Sequence, residues 1–216
     1  MSDFLTDEEQ AARLESWWER YGLLTILGVV LLVAAVVGYR WWQDRQAAAT
    51  AAGAELYEAF LEAGTTEQSE LAAQIDDVAG ATGYPLLVRL RQAADLVTKE
   101  QFDEARTRYQ EVVARTDNPA LRDLALVRTA RIEQQLGNSD AALAALGKAR
   151  STGFRSQVAE LKGDIQLANG DRAAAHEAYR AAQAALGEGE TNTLLELKIA
   201  TTAATGNTAE EPAVEG

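Results

Sequence analysis

The stretch that most constrains this chain is an uncharged run of nineteen residues from Tyr21 to Tyr39, bordered by Arg20 and Arg40. As an α-helix the run is about 28 Å long, close to the roughly 30 Å hydrocarbon core of a bilayer. Eleven of its side chains are Leu, Ile or Val, and each favours insertion by roughly 0.3 to 0.6 kcal/mol. The run therefore predicts one membrane-spanning helix.

Aromatic residues at both ends of the run support the same prediction. All four tryptophans of the protein lie there, and tryptophan prefers the headgroup layers of a membrane. The predicted membrane-interface residues are Trp17, Trp18, Trp41 and Trp42. Two alternatives stay open: a buried core helix of a soluble protein, and a signal peptide cleaved near Ala47–Ala49. The acidic residues before the run and the charged residues just after it disfavour cleavage.

Composition excludes several classes of function. The net charge is −13, which argues against nucleic acid and against a polybasic lipid-binding patch, because both need clustered Lys and Arg. The chain has no Cys, which excludes disulfides, thiol catalysis and metal sites built from Cys. Its single His cannot complete a set of His metal ligands. His176 is interpreted as a packing or surface residue. We predict no enzyme, no cofactor and no metal.

Charge around the apolar run bears on topology. Two arginines and the amino terminus precede the run, and Arg40 and Arg45 follow it, so the count of positive charges is nearly balanced. Between Arg45 and Arg89, however, there are seven acidic residues and no Lys or Arg. An acidic stretch is easier to leave outside the cell membrane. We therefore predict residues 1–20 as an acidic cytoplasmic tail and residues 21–39 as the span, with the bulk of the chain outside.

From residue 86 onward, mostly small residues recur with a fixed spacing. Separations of 12 and then 7 residues occur three times, in Ala93, Ala105 and Val112, in Ala130, Ala142 and Ala149, and in Gly163, Ala175 and Ala182. Because seven residues make about two helical turns, the second and third members of each triplet are expected to share a face. Small side chains there let an antiparallel helix approach closely. The expected core positions on these faces are Tyr109, Leu146 and Tyr179.

This periodicity predicts three stacked helical hairpins at about 86–118, 123–153 and 156–187. An Ala-rich helix over 46–63 precedes them and can continue the span. A helix over 190–204 is expected to cover the last repeat with Leu194, Leu195, Leu197 and Ile199. Residues 205–216 have little to bury and are predicted to be disordered. Unrelated Ala-rich hairpins are the alternative to true repeats.

The spacing resembles the tetratricopeptide repeat, and the third unit, LKGDIQLANGDRAAAHEAYRAAQAAL (161–186), matches it best. The predicted fold class is therefore all-α: a single N-terminal transmembrane helix followed by a tetratricopeptide-like helical-hairpin solenoid over 46–204. The segments GYRWW (38–42), GYPLLVRLRQAADLV (83–97), LVRTARIEQQLGNSDAALAAL (126–146) and VAELKGDIQLANGDRAAAHEAY (158–179) occur in this order. Together they resemble the YfgM family, ancillary subunits of the SecYEG translocon.

That resemblance implies an inner-membrane protein with a cytoplasmic N-terminus and periplasmic repeats. It further implies association with the SecYEG translocon and with the membrane-anchored periplasmic chaperone PpiD, and hence a non-enzymatic scaffold that couples export to chaperones. Two alternatives differ from this scaffold only in the partner protein or in the processing of the N-terminal segment. One is a membrane-tethered tetratricopeptide adaptor of another envelope machine, in outer-membrane assembly or cell division. The other is a soluble carrier released by signal cleavage.

In a tetratricopeptide solenoid the first helices of the hairpins line a concave groove. The register predicts these groove-lining residues: Leu90, Ala94, Val97, Val127, Arg131, Gln134, Asp164 and Leu167. The alternative is that several of them pack against neighbouring helices. The set lacks the Lys and Asn residues with which some tetratricopeptide domains clamp a terminal carboxylate, so that mode of binding is disfavoured.

Overall fold

The structure of the protein is a computed structural model that describes residues 7–187 and 189–203. These residues form α-helices and one short 3-10 helix, with no strand among them. The predicted all-α fold class is therefore confirmed. The chain divides into two compact units, Met1–Tyr84 and Pro85–Gly216. The predicted disorder of residues 205–216 lies outside the described residues.

The first unit is dominated by α1, one helix of 56 residues from Asp7 to Glu62. It contains the apolar run and continues without a break through Ala47–Ala49, so the Ala-rich segment and the span form one helix. Part of α1 is long and apolar enough to cross a membrane. Its apolar side chains are exposed, Leu23 by 82%. That exposure contradicts the alternative of a buried core helix.

After a turn at Gly64, α2 (Thr65–Val78) packs back against the end of α1. Phe60 and Ile75 are fully buried between the two helices. A Cβ atom on Gly53 would lie 2.8 Å from the Cβ atom of Ala79, so glycine lets the end of α2 approach α1 closely. The first unit thus ends in a small helical hairpin built directly on the long helix.

The second unit contains the repeats. Three hairpins and a final helix follow in order: α3 (Tyr84–Thr98) with α4 (Phe102–Arg115), α5 (Pro119–Gln135) with α6 (Ser139–Leu146), α7 (Arg155–Ala168) with α8 (Arg172–Ala184), and α9 (Thr193–Ala203). The predicted core residues Tyr109, Leu146 and Tyr179 are at most 3% exposed, which confirms their role. The predicted repeat boundaries stay predictions.

All three hairpins turn in the same way. One residue in each turn has a left-handed backbone: Glu100 (φ 60°), Gly137 (φ 80°) and Gly170 (φ 84°). The N–H of the following residue donates to a carbonyl five residues earlier, as from Gln101 to Leu96 at 2.9 Å. This hydrogen bond closes the first helix of the hairpin in a Schellman motif. Glycine is the residue that tolerates this conformation best, and the first hairpin has Glu100 instead.

The second hairpin departs from the predicted pattern. Because α6 ends at Leu146, Ala149 lies beyond the helix and does not share a face with Ala142; this prediction was wrong. The chain after α6 is instead held against α5 by a buried carboxylate. Asp123 Oδ2 accepts hydrogen bonds from the backbone N–H groups of Arg150 (2.9 Å) and Ser151 (2.5 Å).

Those hydrogen bonds determine the charge state of Asp123. Burial alone would raise the pKa of its carboxyl, but hydrogen bonds from Ser151 and Arg150, together with nearby Arg122, lower the pKa below its ordinary value. The ionised carboxylate is therefore the form that the folded state prefers.

The final helix α9 only partly matches its prediction. Leu195 is fully buried against α8, in a cluster with Tyr179, and Ile199 packs on the same cluster. Leu194 and Leu197 are 58% and 59% exposed, so the prediction that all four residues cover the last hairpin was wrong for these two. Successive residues of a helix point about 100° apart, and the packing of Leu195 turns both leucines away from α8.

Candidate partner-binding groove

An open groove of about 430 Å³ lies between α3, α4 and α5. Its lining residues are Ala94, Val97, Thr98, Phe102, Tyr109, Arg128, Arg131, Ile132 and Gln135. The floor is apolar, since Tyr109 and Ile132 are each 3% exposed. Arg128 and Arg131 are exposed at its edge. The groove therefore combines an apolar floor with a cationic rim.

The local sequence explains this arrangement. Phe102 is the first residue of α4, directly after the left-handed turn, and it packs with Val97 on the buried cluster around Ala93 and Tyr109. Burial raises the pKa of the Tyr109 hydroxyl; Arg128 lowers it and Asp95 raises it, and the overall shift is upward. The phenol in the floor is therefore uncharged near neutral pH.

Three of four equivalent positions along the first helices hold a charged residue. In the register of the repeats, Ala94, Arg131, Asp164 and Lys198 correspond to one another on α3, α5, α7 and α9. Lys198 Nζ lies 2.7 Å from Asp164 Oδ1 and 2.8 Å from Glu160 Oε1. Burial would lower the pKa of Lys198, but its hydrogen bonds to Asp164 and Glu160 raise it overall. α9 thus neutralises the acidic position of α7.

The arginines of the groove have no such counterpart. On α7, the equivalent residue Asp164 is already bound by Lys198. On α3, the equivalent residue is the uncharged Ala94. Among residues 7–187 and 189–203, no carboxylate forms an ion pair with Arg128 or Arg131. In a chain of net charge −13, the groove edge is therefore a local concentration of positive charge.

The structure brings together only part of the predicted groove. Ala94, Val97 and Arg131 line the cavity. Val127 is 1% exposed and packs in the cluster that α6 completes, and Asp164 accepts hydrogen bonds from Tyr179 and Lys198. The remaining predicted residues do not line this cavity: Leu90, Gln134 and Leu167. Val127 and Asp164 are thus occupied by the protein's own helices.

Sequence reasoning missed six lining residues: Thr98, Phe102, Tyr109, Arg128, Ile132 and Gln135. Arg128 precedes Arg131 by three residues on α5, and this helical spacing was a usable signal for a shared face. Phe102 and Tyr109 come from a second helix, whereas the sequence prediction considered only first helices. His176 serves packing in the structure, because its Nδ1 lies 3.0 Å from Thr202 Oγ1 of α9. Within the part of the chain that the structure describes, no group of side chains is arranged to hold a metal ion.

These features define a helical-repeat protein with one long apolar helix at its N-terminal end. The chain belongs to the tetratricopeptide repeat-like domain family, whose profile matches residues 15–204. The match covers the apolar part of α1 as well as all the repeats, which confirms the predicted tetratricopeptide-like fold.

Curated relatives make the comparison more specific. A Haemophilus influenzae protein named ancillary SecYEG translocon subunit is 27% identical over 186 residues, which is 85% of this chain and 91% of the relative. An Escherichia coli protein of the same name is 26% identical and covers 84% of this chain and 89% of the relative. An Aggregatibacter actinomycetemcomitans protein, again with that name, is 27% identical. The resemblance predicted from the sequence is therefore confirmed.

Proposed function

We propose that this chain is a non-enzymatic, single-pass inner-membrane adaptor that associates with a SecYEG-type translocon. The observation that carries the proposal is the extent of similarity. Relatives named as translocon subunits align with about 85% of the chain, and the family profile runs from the apolar helix through the last repeat. Both parts of the molecule, the membrane helix and the repeats, are thus available for the same role.

The proposed topology has the N-terminus in the cytoplasm and the repeats in the periplasm. It is supported by the seven acidic residues and the absence of Lys and Arg between Arg45 and Arg89. Because α1 continues for about twenty residues after Trp42, it extends roughly 30 Å beyond that tryptophan. The hairpin of α1 and α2 would therefore stand clear of the headgroups.

Within this role, the groove between α3, α4 and α5 would bind a segment of a periplasmic chaperone, of the membrane-anchored PpiD kind. An apolar floor supplies buried area, and Arg128 and Arg131 supply charge-assisted hydrogen bonds to carboxylates. The adaptor would then couple export of a chain to its reception by the chaperone.

Site-specific photo-crosslinking in native membranes tests the two halves of this proposal. Probes replace Thr25 and Val33 in the apolar run, Ala94 in the groove, and exposed Arg115 as a control outside the groove. We expect adducts with translocon subunits from the first two positions and with a chaperone from Ala94. Adducts with other envelope machinery alone, and none with the translocon, would move the function to the alternative adaptor.

Charge reversal separates the groove from the anchor. Arg128→Glu with Arg131→Glu is expected to reduce the Ala94 adduct at least tenfold, while adducts from Thr25 persist. Arg115→Glu is the control, because it reverses one positive charge outside the groove. An Ala94 adduct that survives the double reversal would contradict binding through the cationic rim.

A further inference from the structure

The helix α9 continues the register of the repeats. Ile132, Ile165 and Ile199 are separated by 33 and 34 residues. Each packs on the second helix of the hairpin before it: Ile132 with Tyr109, Ile165 with Leu146, and Ile199 on the Tyr179 cluster. By this packing, α9 is the first helix of a fourth hairpin.

On the first helix of each preceding hairpin, the face next to this isoleucine position is covered by the second helix of the same hairpin. Two residues before the isoleucine, Ala130 packs with Leu146 of α6. At the same position in the third hairpin, a Cβ atom on Gly163 would lie 2.5 Å from the Tyr179 ring of α8. The equivalent residue of α9 is Leu197, which is 59% exposed. Leu194, one turn earlier, is exposed to the same degree.

We propose that this face of α9, defined by Leu194 and Leu197, docks an α-helix of a partner protein in the position that a second helix holds in each earlier hairpin. Exposed leucines on a terminal helix are unfavourable for a free solenoid, whose end normally carries a polar outer face. The surface is separate from the groove between α3, α4 and α5, so the proposal does not depend on the function proposed for that groove.

Side-chain size predicts part of the partner's sequence. In the three complete hairpins a small residue on the first helix faces a large one on the second, as Gly163 faces Tyr179. On α9 the position holds Leu197, a large residue. A helix that packs closely there needs Ala or Gly opposite Leu197, with an apolar residue one turn away to contact Leu194.

Charge predicts a second feature. Gln110 of α4 lines the cleft where α6 passes α4, and the equivalent residue of α8 is Arg180, seventy residues later. Arg180 is exposed and, in the described part of the chain, forms no ion pair. It therefore lies where the incoming helix would pass α8, and it favours an Asp or Glu on that helix.

Two other occupants fit less well. The sequence of residues 204–216, ATGNTAEEPAVEG, contains Gly206 and Pro212 and lacks an apolar stripe at helical spacing. A second copy of the chain would present Leu197 to Leu197, large against large, and would bring together two molecules of net charge −13. A partner with a small residue and an acid meets both requirements of the surface.

The test uses the full chain in native membranes, with a benzophenone amino acid in place of Ala200 beside the exposed leucines. The expected result is an adduct that maps to a partner segment with Ala or Gly and an acid at helical spacing. Leu194→Glu with Leu197→Glu should reduce it at least tenfold, and Arg180→Glu severalfold. Leu136→Glu, which changes a leucine exposed elsewhere, should leave it intact.

Four outcomes would overturn the proposal: no adduct, an adduct with a second copy, an adduct with residues 204–216, or a captured segment without that pattern. An adduct unchanged in the double leucine variant and in Arg180→Glu would also overturn it. Because the substituted leucines are exposed, the melting temperature of the purified double variant should match that of the unmodified protein. Adducts from a probe at Ala94 in the same variants report separately on the groove.

Discussion

The second and third hairpins have the same spacing of small residues but are closed in different ways. In the third, α8 has 13 residues and its last small residue, Ala182, is fully buried. In the second, α6 has 8 residues, and Ala149 lies outside the helix. The comparison teaches that repeat spacing determines where two helices cross, whereas other contacts determine how far the second helix extends.

Those other contacts are specific. The third hairpin is held by the Tyr179 ring, which packs on Gly163 and donates a hydrogen bond of 2.8 Å to Asp164. The second is held by Asp123, which binds the backbone beyond α6. One hairpin thus depends on ring packing and the other on a buried carboxylate, and variants can test each dependence separately.

The largest effect is expected in the second hairpin. Asp123→Ala leaves the N–H groups of Arg150 and Ser151 without their acceptor, and should lower the free energy of unfolding by about 3 kcal/mol. Thermal unfolding of the purified protein, followed by circular dichroism, measures the change. Asp117→Ala, at an exposed position, is the control. Equal stability of the two variants would refute the role of Asp123.

In the third hairpin, Gly163→Ala should cost about 2 kcal/mol, because the new methyl group would overlap the Tyr179 ring. Adding Tyr179→Leu reproduces the pair found in the second hairpin, where Ala130 packs with Leu146. The double variant should therefore lose at least 1 kcal/mol less than the sum of the two single losses. Strict additivity in this double-mutant cycle would argue against direct contact.

Acid should affect the second hairpin in a predictable direction. The pKa of Asp123 is lowered in the folded state, so its stabilisation is complete above the unfolded pKa of about 4 and is lost as the pH falls through the folded pKa. Each unit of pKa difference corresponds to about 1.4 kcal/mol. Between pH 6 and pH 3 the unmodified protein should lose more stability than Asp123→Asn. Parallel pH profiles would contradict this assignment.

The smallest effect concerns the turns that all hairpins share. Glu100→Gly places glycine at the left-handed position that Gly137 and Gly170 occupy in the other hairpins, and should stabilise the protein by about 1 kcal/mol. Gly170→Ala should destabilise it by a similar amount. The measurement compares the unfolding midpoints of both variants with that of the unmodified protein. A loss of stability in Glu100→Gly would show that the Glu100 side chain has another role.

The structure brings some of the predicted groove residues together at one cavity and packs others against neighbouring helices, for an identifiable reason. The register predicted Ala94, Val97 and Arg131, which line the cavity, although it leaves their role in binding a prediction. It could not show that Asp164 would be bound by Lys198, a residue 34 positions later. Nor could it show that Val127 would be covered by α6. Both outcomes depend on which neighbouring helix reaches a given face.

By itself, the sequence determined the long apolar helix and the helical hairpins that follow it. Hydropathy, helical periodicity and turn residues such as Gly137 act over a few neighbouring residues, so they can be recognised from the sequence alone. Only the tertiary structure decided where α6 ends, which groove residues stay free, and that Leu194 and Leu197 face outward. These features arise from contacts between residues far apart in the chain, where burial, volume and charge pairing decide among arrangements of similar local cost.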